Sequence, residues 1–231
     1  MNALVAQGLS QLGLDSSRGE TLCAFARLLL EKNKVMNLTA ITEPEAVATL
    51  HLLDCAQLLL CADWHGKRVV DVGTGAGFPG MPLRILEDDF DLTLLDSLGK
   101  RILFLEECCQ TLRLRRVRCV HGRAEEFAAA ERERYDIATA RAVAALPVLA
   151  ELCLPLVKVD GCFLAMKSVE CDEELRSAQS ALRVLGGTVE EVIDYTIFGT
   201  EVTHRIIKIR KTAPSPAQYP RPFAKIKKQP L

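Results

Sequence analysis

The spacing of apolar positions changes once along the chain, near residue 65. Before that point it is helical. Leu4, Leu9 and Leu12 suggest a short first helix, and Leu22, Phe25, Ala26, Leu29 and Leu30 form the stripe of a second. Thr42-Glu-Pro-Glu45 reads as a capping box opening a third helix, which carries Val47, Leu50, Leu53 and Leu58. From Lys67 onward, short β-rich runs alternate with helical stretches. Strands are expected at 68–72, 92–96, 117–120, 135–140 and 162–166, with helices at 80–87, 98–113, 123–132 and 144–157 between them. After a further helical stretch at 173–185, two β-rich runs at 188–197 and 203–210 flank a short loop.

This alternation predicts an α/β protein: a mostly parallel sheet with helices on both faces, ended by an antiparallel hairpin at its edge. Five parallel strands and a hairpin are the outline of a class I methyltransferase, a Rossmann-like fold. The expected organisation is a helical extension at 1–64, the sheet domain at 65–211 and a tail at 212–231.

Chemistry concentrates where the first strand ends. Val69, Val70 and Val72 run into Gly73, Gly75, Gly77 and Gly80, and Pro82 sits where a helix starts. Such a strand–turn–helix brings bare backbone close to a ligand at a helix N-terminus. Gly75, Gly77 and Gly80 also spell the dinucleotide fingerprint. Two features weigh against a dinucleotide: the fingerprint begins late in the turn, and Asp71 puts a carboxylate beside it, where a pyrophosphate would meet like charge. S-adenosylmethionine carries an ammonium and a sulfonium and suits D-x-G-x-G-x-G better. Asp96, about 20 residues past the loop, is then the expected acceptor for the ribose hydroxyls. Lys100 and Arg101, Gly122-Arg-Ala-Glu-Glu126, Arg141 and Lys167 follow the next strands in turn.

Composition narrows the setting. Of the 231 residues, 49% are hydrophobic and 26% charged, enough for a full core. No apolar run reaches the ~18 residues of a membrane span. The first residues lack a basic segment, so no secretory leader is expected. The nine cysteines are odd in number, lie mostly in apolar stretches and form no C-x-x-C, as in reduced proteins of the cytoplasm. The four histidines are scattered, and no metal site is expected. The net charge of −1 gives no overall pull on nucleic acid. The stretch after Glu201 differs. It has no acidic side chain, carries eight lysines and arginines, and holds Pro214, Pro216, Pro220, Pro222 and Pro230. A basic, extended arm outside the core is expected there.

Together these residues resemble the bacterial 16S ribosomal RNA guanine-N7 methyltransferases, the RsmG or GidB family. Asn33-Lys-Val-Met-Asn-Leu-Thr39 is similar to its N-K-x-x-N-L-T, and His51-Leu-Leu-Asp54 to its H-x-x-D. Val70-Asp-Val-Gly-Thr-Gly-Ala-Gly-Phe-Pro-Gly-Met-Pro-Leu83 is nearly its glycine motif outright. Leu94-Leu-Asp-Ser-Leu-Gly-Lys-Arg101, Arg123-Ala-Glu-Glu-Phe127, Ala140-Arg-Ala142 and the tail match too. The resemblance implies methylation of a guanine N7 in the 530 loop of 16S ribosomal RNA. It implies cofactor contacts at Gly73, Phe78, Ala124, Glu125 and Arg141, added to Asp71, Gly75, Gly77 and Asp96. Arg141 and Lys167 are the expected reaction-site residues, and Lys100, Arg101, Arg221, Lys227 and Lys228 the expected RNA contacts. An S-adenosylmethionine enzyme acting on another RNA, a protein or a small molecule is the alternative. A nucleic-acid-binding module with a decayed cofactor site is a third reading.

Overall fold

A computed structural model describes all 231 residues. Its centre is a seven-stranded sheet: β1 (Lys67–Val72), β2 (Phe90–Asp96), β3 (Val117–His121), β4 (Tyr135–Arg141), β5 (Val157–Ser168), β6 (Gly187–Thr196) and β7 (Thr203–Lys211). The spatial order is β3-β2-β1-β4-β5-β7-β6. The first five are parallel, and β7 pairs antiparallel with both β5 and β6. Strand order reverses between β1 and β4, and ligands of open α/β sheets sit beyond the carboxyl ends at such a point.

The helices are α1 (Asn2–Gln11), α2 (Gly19–Met36), α3 (Pro44–Val47), α4 (Asp54–Ala56), α5 (Gly80–Leu86), α6 (Gly99–Thr111), α7 (Ala124–Ala130), α8 (Leu146–Cys153), α9 (Asp172–Ser177), α10 (Gln179–Leu185) and α11 (Phe223–Lys228). They divide the core in two. One face of the sheet packs against α1, α2, α5 and α6 through residues such as Phe25, Met81 and Phe104. The other packs against α8 and α10 through residues such as Leu149, Phe163 and Leu182. Residues 1–64 supply much of the first cluster, so this extension is part of one core and not an appendage to it.

The third helix departs from expectation. The capping box does not form: Glu43 is the N-cap and no side chain caps it. Between α3 and α4 the chain winds as a π-helix, Ala48–Leu53. Wider turns of this kind recur at functional sites; this one carries His51 and delivers Asp54.

The tail is also corrected. It is docked and not a free arm. Arg132 donates to the carbonyls of Ser215, Pro216 and Tyr219 at 2.5, 2.9 and 2.7 Å. Lys211 is fully buried and donates to Leu154 O and Ser215 Oγ. Ile226 of α11 is fully buried in the second cluster. Arg221 forks onto the fully buried Glu151, with Nε and Nη2 at 2.8 and 2.6 Å from its two oxygens. An acid-free tail is thus partnered by acids elsewhere in the chain. The cations still exposed are Lys225, Lys227 and Lys228.

Candidate functional site

The loop after β1 is shaped by its glycines and by the carboxylate beneath it. Gly73, Gly75 and Gly77 have φ of 69°, 60° and 100°, where other residues are strained. A Cβ on Gly77 would lie 2.6 Å from Met81 Cγ, and one on Gly73 2.7 Å from Val143 Cγ2. Gly75 differs, because the nearest atoms to its Cβ position lie 3.9 Å away or more. That space is open to a ligand. Asp71 is fully buried below the loop; its Oδ2 accepts from Thr74 Oγ1 at 2.6 Å and Gly80 N at 2.8 Å. It does not line the cleft. Burial pushes its carboxyl up to about 6. Asp71 therefore braces the loop, and the carboxylate facing the cleft is Asp96.

Asp96 Oδ2 accepts the Gly75 N–H at 2.9 Å, and Oδ1 accepts the Leu98 N–H at 2.9 Å. One side chain thereby ties the loop after β2 to the loop after β1. Arg101 Nη1 lies 3.4 Å from Oδ2. A carboxylate has about four lone-pair sites, so acceptor capacity remains for a diol.

The opposite wall comes from far along the chain. Asn33 Oδ1 accepts the N–H groups of Leu38 and Thr39, its Nδ2 donates to Thr39 O, and Asn37 ends α2 in the left-handed conformation. This turn presents Thr39 to His51, whose Nε2 lies 2.9 Å from Thr39 Oγ1. Arg141 Nη2 lies 3.0 Å from His51 Nδ1. Nδ1 also lies 3.1 Å from Leu50 O, so it stands between a guanidinium donor and a carbonyl acceptor, and beside that guanidinium the imidazole is neutral. Burial, and then the Arg141 charge, lower its pKa to about 4. The ring stacks on Phe78 at 4.5 Å between centroids, and Arg141 lies 4.8 Å from the same ring centre.

Asp54 anchors this wall. It is fully buried and accepts from Arg141 Nη1 at 3.1 Å, Tyr195 Oη at 2.7 Å and His204 Nδ1 at 2.8 Å. It joins helix, central strand and hairpin. Arg141 also donates to Leu50 O at 3.2 Å. Its Nε–H and the second N–H of Nη2 make no hydrogen bond within the protein and leave an edge suited to a carboxylate.

Between the walls is a cavity of about 410 Å³. Of the expected cofactor residues, Gly73, Gly75, Phe78, Asp96 and Arg141 line it. Gly77 and Asp71 shape it from behind. Ala124 and Glu125 do not line it, and Glu125 accepts from Arg123 Nε at 2.6 Å. Lys167 lines a neighbouring cavity, where its Nζ meets Glu174 Oε2 at 2.6 Å. Lys100 is exposed, and Arg101 stands at the cavity edge. The pattern of the chain did not indicate Thr39 in the lining, or Tyr195 and His204 as partners of Asp54.

The fold and this cleft define a class I methyltransferase, a class that uses an S-adenosylmethionine-type methyl donor. Solved structures with this fold include TrmN from Thermus thermophilus (TM-score 0.54, 19% identity, covering 69% of this chain and 48% of that one). A precorrin-6y C5,15-methyltransferase from Geobacter metallireducens gives a TM-score of 0.52 at 15% identity, covering 77% and 92%. The GidB family model, rRNA small subunit methyltransferase G, matches residues 18–198. The chain belongs to that family. A ribosomal RNA small subunit methyltransferase G from Alkaliphilus oremlandii is 45% identical over 98% of this chain and 95% of its own length. One from Clostridium botulinum is 41% identical over 95% and 93%.

Proposed function

We propose that this chain transfers a methyl group from S-adenosylmethionine to N7 of a guanine in the 530 loop of 16S ribosomal RNA. The observation that carries the reading is a cleft fitted to the cofactor whose imidazole is not free to act as a base. Gly75 leaves bare space, Asp96 keeps acceptor capacity and Arg141 keeps an open guanidinium edge. Both nitrogens of His51 are occupied, one by Arg141 and one by Thr39. Guanine N7 has a lone pair and no proton to lose, so a site without a general base is complete for it.

In this reading Asp96 holds the ribose hydroxyls, Gly73 and Gly75 admit the ligand to the backbone, and Arg141 orients the methionine carboxylate. The bound cofactor supplies an electrophilic methyl on its sulfonium. The protein's contribution is alignment and electrostatics, through an Arg141 fixed on three partners. The neutrality of His51 keeps a second cation away from the sulfonium and from the cationic product. Lys100, Arg101, Lys227 and Lys228 hold the RNA backbone. Arg221 is left out of that face because Glu151 occupies it.

The test is to map N7-methylguanine in 16S ribosomal RNA from cells with and without the gene. The methyl should vanish from one 530-loop guanine without it and return on complementation. An unchanged map, or a wild-type protein that binds a nicotinamide dinucleotide and not S-adenosylmethionine by calorimetry, overturns the proposal.

A further inference from the structure

A second cavity, of about 480 Å³, adjoins the first. His51, Arg141 and Ala142 line both and form the wall they share. Ile41, Leu50, Met166 and Val202 give it apolar sides. Ala142 follows β4 with φ of 55°, an uncommon conformation for a residue other than glycine, where it bounds both spaces. An apolar slot with a few fixed polar groups is the usual form of a small-ligand site.

The polar groups that matter are Lys167 and Glu174. Lys167 Nζ donates to Ala144 O at 2.7 Å and to Glu174 Oε2 at 2.6 Å, which leaves it a third N–H. Glu174 Oε2 also accepts the Leu146 N–H at 2.9 Å, while Oε1 makes no hydrogen bond within the protein. Two backbone groups therefore hold the pair from behind. It presents one donor and one acceptor side by side.

We infer that this second cavity receives the target base and that the Lys167–Glu174 pair reads its Watson–Crick edge. The inference rests on the guanine-N7 reading above. Lys167 donates to O6, and Glu174 Oε1 accepts from N1–H and the N2 amine. Adenine has the reverse order: its N6 amine would face an ammonium and its N1 lone pair a carboxylate. Reading that edge leaves N7 free on the other side, toward the shared wall. Because pairing would occupy the same edge, the base must enter unpaired or flipped. Lys167 is thus a substrate contact in this role, with Glu174 as its partner.

The test uses small ribosomal subunits reconstituted around 16S RNA carrying guanosine or inosine at the methylated position. Inosine keeps O6, N1–H and N7 but lacks the N2 amine. Wild-type protein should lose about ten- to a hundred-fold in kcat/KM on inosine. Glu174→Gln keeps an oxygen toward Leu146 and Lys167 and turns an amide N–H₂ toward the base. It should lose at least that factor on guanosine, since N1–H loses its acceptor as well. Inosine should then cost this variant little more, because the variant has already lost the hydrogen bond that the N2 amine makes. Its melting temperature and its calorimetric affinity for S-adenosylmethionine should match wild type. Equal wild-type rates on both bases overturn the inference, as do strictly multiplying losses or a Glu174→Gln defect in cofactor affinity. If Glu174→Gln does not fold, the wild-type inosine comparison decides alone. A wild type inert on guanosine subunits overturns the guanine-N7 reading and this inference with it.

Discussion

The two walls of the cleft are built in different ways. On one side, Asp96 reaches Gly75 and Leu98, 21 and 2 residues away. On the other, Asp54 reaches Arg141, Tyr195 and His204, at separations of 87, 141 and 150. The first wall is a motif, continuous enough in the chain to carry its own ligand geometry. The second is a product of the whole fold. Changes on the first should affect the ligand before the fold, and changes on the second both together.

The largest expected effect is on the distant wall. Arg141→Ala would leave the buried Asp54 without its cation. Removing one partner of a buried pair costs about 3–5 kcal/mol. Tyr195 and His204 remain, so the lower end is expected, alongside loss of methyl transfer. Chemical denaturation checks the stability. An unchanged midpoint would make Arg141 a ligand residue alone, which is what its place at a strand end suggests when only the sequence is considered.

Second come opposing pH dependences across the two walls. Asp71 rises from 3.8 to about 6. Its contribution is present below about pH 4 and is lost as pH rises through 6. His51 falls from 6.5 to about 4. Its contribution is present above about pH 6.5 and is lost as pH falls toward 4. In wild type the two slopes offset each other between pH 4 and 6. Asp71→Asn should expose a stability that climbs with pH by about 2–3 kcal/mol, and His51→Gln one that declines by a similar amount. Melting scans from pH 4 to 7 measure this, and identical slopes in all three proteins would remove the effect.

Third, on the local wall, Asp96→Ala should weaken S-adenosylmethionine by about 1–3 kcal/mol. Its melting temperature should fall much less than that of Arg141→Ala. A larger stability loss than ligand loss would erase the distinction between the walls.

The smallest effect lies outside the cleft. Lys227 and Lys228 are exposed on a docked helix. Replacing both with Ala should flatten the log–log salt dependence of RNA binding by about 0.7 for each phosphate no longer neutralised. Neither cofactor affinity nor melting temperature should move. Parallel salt slopes would take these lysines off the RNA face.

The same division governs what the sequence made legible. The seven strands and their helices were readable because each is a short periodic run, and the parallel order followed from their alternation. Gly73, Gly75 and Asp96 were readable because spacing along the chain sets their geometry. His51 and Asp54 were readable only through the resemblance, as its H-x-x-D; their partners lie where no spacing rule reaches. The tail misled for a related reason. Its prolines and cations describe a free arm until Glu151 and Arg132, from other elements, are brought against it. Composition reports a segment's own preferences and is silent on the complementary surface that captures it. Asp71 misled in a subtler way: its position in the sequence is that of a ligand carboxylate, while its orientation is inward.

The Asp54 junction bears on the chain's own synthesis. A growing polypeptide exposes its N-terminal elements first. The glycine loop and Asp96 can form their contacts once β2 has emerged. Asp54 must wait for Tyr195 and His204, well over a hundred residues later. Until β6 and β7 are made, a carboxylate destined for the interior lacks two of its three partners, and the helical wall cannot close on the sheet. Methyl-donor binding at full strength is therefore a property of the released or nearly released chain, and its onset on stalled nascent chains of increasing length would date the closure of the cleft.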